Sequence, residues 1–249
     1  MVHDPLHLLR ADIREAYQRI ATGPLADFGG DGGAWPVSED RSVDFHLRPA
    51  LVLAVTRNCH GARDRVLALA GLVQLIFMAA RLHATVSEDG RGETAKAILL
   101  GDYCYSRFFS LAATSGLGRF IGPLAEVVCL MGEGGVEKCR KAPGGETAAL
   151  ETLRKETAGL FAESCRCAGD LIGAGPEQQQ ALYRFGLCLG MGYALLQNTL
   201  FRPAAVYFSE TRLGVAHLPR VAARDILEGL IDYLCRRMPE PAAAAAIEG

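Results

Sequence analysis

From Val66 to Leu82 the chain is apolar or small at every position except Gln74 and Arg81. A run of about 17 residues is too long for a strand, and a helix that is apolar all round has to be surrounded, by lipid or by other helices. That length sits at the lower limit for spanning a bilayer and suits a buried core helix equally well. We read it as the core helix of a soluble chain, with no transmembrane segment.

Helical patterns dominate the remainder. An amphipathic segment opens the chain from Pro5 to about Ile20, with Leu8, Leu9, Ile13 and Ala16 recurring at helical spacing. Apolar helical segments follow at Arg48–Arg57, Ala62–Thr85 and Glu93–Thr114, and later ones at Glu146–Gly173, Glu177–Phe201 and Val221–Met238. Two breakers punctuate them. One is the stretch Gly23 to Ser42, with Gly29-Gly30-Asp31-Gly32-Gly33; the other is Gly132-Glu133-Gly134-Gly135, with Gly144-Gly145 beyond it. No repeat of 20–50 residues is present, so a solenoid is not expected. The pattern predicts one all-α domain over 1–238, followed by a disordered Ala-rich tail, 239–249.

Composition narrows the function. Half of the 249 residues are apolar, 22% are charged, and the formal net charge is −2. Such a chain can offset its ordering entropy and fold. A pI near 6.3, no basic cluster longer than Arg236-Arg237 and 7% aromatic residues argue against nucleic acid as a partner. The start, Met1-Val2-His3-Asp4-Pro5, lacks the basic and apolar run of a signal peptide, so the expectation is a cytoplasmic protein with reduced thiols for its eight cysteines. P-loop, zincin and nucleophile-elbow motifs are absent. Cys165-Arg-Cys167 has one residue between its thiols where metal sites want two to four, and positions i and i+2 of a helix point to different faces. Cys59-His60 has no second close pair to complete a site. Both read as ordinary residues.

More informative is an ordered set of segments: Arg48-Pro49-Ala50-Leu51; then Ala80-Arg81-Leu82-His83-Ala84-Thr85-Val86-Ser87-Glu88-Asp89-Gly90-Arg91-Gly92; then Leu99-Leu100-Gly101-Asp102-Tyr103-Cys104-Tyr105-Ser106-Arg107. Glu156-Thr157-Ala158-Gly159-Leu160-Phe161 follows, and after it Tyr183-Arg184-Phe185-Gly186 with Leu189-Gly190. In this order and spacing the chain resembles the trans-isoprenyl (polyprenyl) diphosphate synthases over roughly residues 40 to 238. The resemblance implies a bundle of long antiparallel helices around a central cavity. It also implies condensation of isopentenyl diphosphate with an allylic diphosphate held by Mg²⁺ on two aspartate-rich motifs. Ionising the allylic diphosphate needs its charge neutralised as it departs, and carboxylates at i, i+1 and i+4 of a helix present hard oxygen ligands on one side.

Against that pattern this chain is degenerate. In the first motif His83 matches, but the leading aspartates fall on Ala84 and Thr85, leaving Glu88 and Asp89 as the carboxylates. In the second, the leading pair falls on Gln197 and Asn198 and the last position on Phe201, so no carboxylate remains. Of the family's Gly-Lys-x-x-Arg-Pro segment, aligned with Asp44-Phe45-His46-Leu47-Arg48-Pro49, only Arg48 survives. The family's Lys-Thr lysine becomes Glu156, with Lys155 one position earlier and about 100° away on a helix. A later Gly-Lys becomes Gly214-Val215, ahead of Leu218-Pro219. The diphosphate-binding remnant is therefore Arg48, His83 and Arg91, the catalytic set is empty, and neither Mg²⁺ nor another cofactor is expected on this chain. Ala79 and Ala80 stand where larger family side chains cap the product tunnel; small residues there equally allow close helix packing. Asp102 reads as a structural or interface contact, and His83 as an imidazole packed between helices near Arg91.

The region around Leu99 to Phe109 corresponds to the family's dimer interface. Some medium- and long-chain synthases pair a subunit carrying both motifs with a small one lacking them. This chain resembles that small subunit: a non-catalytic partner in a heteromer whose catalytic subunit holds the Mg²⁺, stabilising that subunit and helping set product length. Two other readings stand beside it. One is a diverged prenyltransferase or terpene synthase-like enzyme using Glu88, Asp89 and Asp102; the other is a pseudoenzyme binding an apolar ligand, such as a prenyl chain, in its interior.

Overall fold

A computed structural model describes residues 5–21, 43–59, 61–86, 92–139, 145–220 and 222–239. The Gly-rich stretch expected as a loop at 23–42, the carboxylates Glu88 and Asp89, Arg91, and tail residues 240–249 lie outside the described residues. Within them every regular element is helical. The helices are α1 (Arg10–Ile20), α2 (Val43–Val55), α3 (Arg63–Ala84), α4 (Gly92–Thr114), α5 (Ile121–Cys139), α6 (Glu146–Leu153), α7 (Gly159–Leu171), α8 (Pro176–Gln197), α9 (Phe201–Gly214) and α10 (Arg224–Cys235).

The long apolar run becomes α3, which packs against α1, α2, α4 and α7. It is long and apolar enough to cross a membrane by length and composition, and 72% of its most apolar window is buried inside the bundle. Leu67, Leu69, Leu72, Val73, Leu75 and Ile76 are all fully buried. At about 1.5–3 kcal/mol per buried large aliphatic side chain, this helix alone contributes a large share of the hydrophobic stabilisation. α7 and α8 form a second central layer, held closer still. A Cβ at Gly186 would lie 2.5 Å from the Phe161 carbonyl oxygen, and one at Gly190 would lie 2.7 Å from the Ala158 Cα.

Three features differ from the sequence expectation. First, α2 begins at Val43 rather than Arg48, so Pro49 sits inside the helix, where its missing N–H removes one rung of the hydrogen-bond ladder. Second, the glycines at 132–135 do not break the chain; they lie within α5. Gly134 is there because a Cβ would come within 2.9 Å of the Glu156 side chain on the facing element. Third, the expected helix over 177–201 stops at Gln197. Thr199, at φ 60°, is the sole non-glycine with positive φ among the described residues, and α9 starts afresh at Phe201. Cys165 and Cys167, expected as ordinary thiols, are both buried, because α7 is packed on several sides at once. The helix expected over 146–173 is continuous, with one π-helical turn at Arg154–Ala158 joining α6 to α7.

Candidate functional site

The α2 start, the α3 end and the α8 end meet at one end of the bundle. Phe45 and Phe77 pack edge to face with ring centroids 5.7 Å apart, and Gln197 Nε2 donates to Asp44 Oδ2 at 3.2 Å. Arg237, just past α10, pairs with Asp44 Oδ1. Burial lowers the pKa of the Arg237 guanidinium, but its hydrogen bond and charge pairing with Asp44 together outweigh that and leave the pKa raised.

Arg48 lies beneath this pair, 4% exposed. Its guanidinium carbon sits 3.7 Å from the Phe77 ring centroid, 4.6 Å from that of Phe161 and 5.5 Å from that of Tyr193. Side chains of α3, α7 and α8 thus converge on one cation from α2, an arrangement that recovers part of the lost hydration through cation–π attraction. Nη1 donates to the Asp44 carbonyl oxygen at 3.3 Å, while Nε is buried with no partner. Burial pulls the Arg48 pKa down to about 10, against the raising influence of Tyr193 and Asp44.

The first-motif positions fall where α3 ends. Ala84 is its last residue and Thr85 its cap, with the Thr85 hydroxyl returned to the Leu82 carbonyl at 2.7 Å. Thr85 and Ala84 are both exposed. His83 points away from the Arg48 cluster, onto α4. Its ring lies 5.7 Å from that of Tyr105, and Nε2 is 3.3 Å from Asp102 Oδ1, without the alignment of a hydrogen bond. A Cβ at Gly101 would collide with this imidazole. The Leu-Leu-Gly-Asp-Tyr signature therefore has a packing role: Gly101 admits His83, Asp102 faces it, and Arg107 reaches the Arg19 carbonyl of α1 at 3.4 Å. Of the tunnel-lining pair, Ala79 is fully buried and Ala80 half-buried.

The second-motif positions do not share a helix face. Gln197 donates to Asp44, Asn198 turns back to the Ala194 carbonyl at 2.8 Å, and Phe201 opens α9 beyond the turn at Thr199. The Lys-Thr position also faces elsewhere. In the π-helical turn, Lys155 pairs with Glu137 at 2.6 Å and with Glu133 at 3.4 Å, and Glu156 pairs with Lys138 at 3.4 Å. All three partners belong to α5.

The described donors by themselves do not fit a Mg²⁺-diphosphate. At the described motif positions, amides, a threonine hydroxyl, an alanine and a phenylalanine offer no charge, while Glu88 and Asp89 lie outside the described residues. Among the described residues no three His, Cys, Asp or Glu side chains gather as a metal site. Sequence reasoning finds Arg48 but misses the partners that fix it. Tyr193 looks like one more core aromatic and Arg237 like half of a surface pair; their meeting with Asp44 depends on α8 and α10 ending at the same place. Asp44 itself is visible in the sequence only as a departure from the family's glycine.

A second feature is the outer face of α4. This 23-residue helix packs mainly on α3, leaving Leu99 64% and Phe109 50% exposed, with Ile98 also exposed. On α5, Val136, Cys129 and Cys139 are exposed as well.

Residues 46–197 match the polyprenyl synthetase family profile. Octaprenyl diphosphate synthase of Escherichia coli is 25% identical over 168 residues, covering 62% of this chain and 52% of the relative. Heptaprenyl diphosphate synthase component 2 of Geobacillus stearothermophilus is 27% identical over 197 residues, covering 74% and 59%. The chain thus spans little more than half the length of these curated relatives. Among solved structures, a decaprenyl diphosphate synthase from Rhodobacter capsulatus superposes with a TM-score of 0.76 at 21% identity, covering 96% of this chain and 98% of that one. A polyprenyl synthase from Caulobacter crescentus, complexed with calcium and isoprenyl diphosphate, superposes with a TM-score of 0.78 at 18% identity and the same coverage. The fold is that of the all-helical isoprenoid synthases.

Proposed function

The chain belongs to the polyprenyl synthetase family, and we propose that within it this protein is a non-catalytic subunit of a heteromeric polyprenyl diphosphate synthase in isoprenoid biosynthesis. The observation that carries this reading is the end of α8. The family's second metal motif would lie there, but its leading residue is an amide bonded to Asp44, the next caps its own helix, and the last sits past a left-handed turn. Losing two or more charged contacts to a departing diphosphate at several kcal/mol each, with about 1.4 kcal/mol per tenfold in rate, leaves little autonomous turnover.

The exposed face of α4 supports the other half of the reading. Burying Leu99 and Phe109 against a second chain is worth about 1.5–3 kcal/mol each before association costs, and the face lies in the region that the family resemblance assigns to the dimer contact. A relative named as one component of a heptaprenyl diphosphate synthase offers a precedent for divided labour. On this proposal the chain stabilises the partner's active fold and shapes the space that its growing product enters.

The test is a prenyl transfer assay with radiolabelled isopentenyl diphosphate, farnesyl diphosphate and Mg²⁺. It compares this chain alone, an intact synthase from the same organism alone, and the two mixed. Activity only in the mixture, or a shifted product length there, is the expected result. Turnover by this chain alone, or a mixture indistinguishable from the synthase alone, overturns the proposal.

A further inference from the structure

We propose that the middle of α3 is a buried water-binding site: the Gln74 amide holds ordered water inside the bundle and so keeps that stretch of the interior closed to a hydrocarbon chain. The inference rests on the fold and not on the subunit role.

Gln74 interrupts the most apolar run of the sequence, and it does so where the helix is most enclosed. It is fully buried, and neither its Nε2 nor its Oε1 meets a hydrogen-bond partner within the protein. Every other buried residue of α3 is apolar or glycine. Neighbours one turn away on the same side of the helix fix its surroundings. A Cβ at Gly71 would stand 2.8 Å from Ile20 of α1 and 3.3 Å from Leu111 of α4. Phe77, one turn on, meets α2, with its ring 5.7 Å from that of Phe45 and 3.7 Å from the Arg48 guanidinium carbon. Gln74 therefore lies between the α1–α4 contact and the aromatic cluster. Arg48, against the Phe77 ring, carries a second buried nitrogen without a partner, its Nε.

A buried amide with both atoms unbonded forfeits the hydrogen bonds that it makes to water in the unfolded chain, a heavy cost in a fold of marginal stability. Buried polar groups left unmatched by protein are the places where internal water binds, each such water making about three hydrogen bonds. Water suits this amide because it accepts from Nε2 and donates to Oε1. A hydrocarbon does neither, so a chain lying against this turn of α3 would strip the amide of its partners and return nothing polar.

The experiment is NMR of the full chain carrying ¹⁵N-glutamine, read for cross-relaxation between the Gln74 side-chain amide protons and water, and paired with thermal melting. Gln74→Leu identifies the signal by its loss, and Gln74→Met serves the same assignment should Gln74→Leu fail to fold. The expected result is a cross-peak with the sign of a long-lived bound water. Gln74→Leu takes a partner from that water, so it is expected to melt about 2 °C or more below the unaltered chain. Saturation with dodecane is expected to leave both the cross-peak and the melting midpoint of the unaltered chain in place. Absence of the cross-peak, melting of Gln74→Leu at or above the unaltered chain, or dodecane abolishing the cross-peak while raising the midpoint overturns the proposal. These readouts need neither a second subunit nor a substrate, so their failure leaves the mixing experiment standing.

Discussion

The seam between α7 and α8 and the bundle end where α8 meets α2 share a helix, yet one is closed by backbone contact and the other by polar pairing of side chains. At the seam, Gly186 and Gly190 put backbone against backbone at separations that no side chain tolerates. At the end, positions 197, 198 and 201 hold an amide, a cap and an aromatic ring, and Arg237 is met by the Asp44 carboxylate. The difference is physical. A seam substitution destabilises the fold directly, whereas a motif substitution at a helix end costs chemistry and leaves the packing intact. On the proposed non-catalytic role, substitutions of the second kind accumulate while those of the first do not.

The largest expected effect tests the seam. Gly186→Val places branched carbon where the Phe161 carbonyl oxygen and the Ala162 Cα would stand only 2.5 and 2.8 Å from an added Cβ, so overpacking by about 3 kcal/mol is expected. Urea denaturation followed by circular dichroism measures it. A loss under about 1 kcal/mol would show that the seam slides apart easily, and the contrast with the helix ends would collapse.

A second substitution separates folding from partnership. Leu99→Asp together with Phe109→Asp changes two exposed positions of α4, so stability should move by no more than about 1 kcal/mol. Stimulation of the catalytic subunit in the mixed prenyl transfer assay should nonetheless disappear. Stimulation that survives unchanged removes this face from the proposed assembly.

Packing is more legible in the sequence than electrostatic pairing. The Val66–Leu82 run announces α3 because apolarity on every side has one solution in a helical protein, and the segment over 146–173 carries enough periodicity to be read whole. The helix at 121–139 escapes a sequence reading because four glycines, at 122, 132, 134 and 135, mimic a loop. Only the facing π-helical turn explains Gly134. Likewise the break at Thr199 is hard to place from the sequence, since threonine seldom takes a left-handed backbone and the residue that takes it more readily, Asn198, stands one position earlier. At the site, the residues expected at the motif positions can be read one by one. The Asp44–Gln197–Arg237 cluster cannot, because pairing across 153 and 193 positions is set by where α2 starts and where α8 and α10 stop.

Arg48 belongs to both regions, and replacing it sharpens the boundary between them. Its charge sits among aromatic rings with one unpartnered nitrogen. Arg48→Met removes a desolvated cation along with its cation–π contacts, two effects of similar size and opposite sign. The folding free energy should change by about 1 kcal/mol or less, measured by the same urea method. A loss above about 3 kcal/mol would mark the cation as a structural keystone, and the bundle end would then be held as tightly as the seam.

The smallest expected effect is in the response to alkali, where the seam and the outer faces again diverge. Burial raises Cys165, in α7, from 9.0 to about 12 and does the same to Cys104 in α4, and Cys167 is pushed up as well, by burial first and by Glu163 second. A thiol with a higher pKa in the fold than in the unfolded chain keeps its proton while the unfolded chain gives its own up. Above about pH 9 the folded state therefore holds more protons, unfolding releases them, and stability falls as the pH rises toward the folded value. Tyr193 and Tyr105, raised by burial, act in the same direction; Arg48, lowered to about 10, opposes them only from that pH upward. The urea midpoint should thus drop between about pH 8 and about pH 10, and Cys165→Ala should flatten that slope. In the native chain at about pH 8, a thiol reagent should label Cys129 and Cys139, both exposed on α5, and should reach Cys104, Cys165 and Cys167 only after unfolding. Rapid native labelling of Cys165 or Cys167 would mean that the α7–α8 seam opens locally, and that its tightness in the fold is not matched in solution.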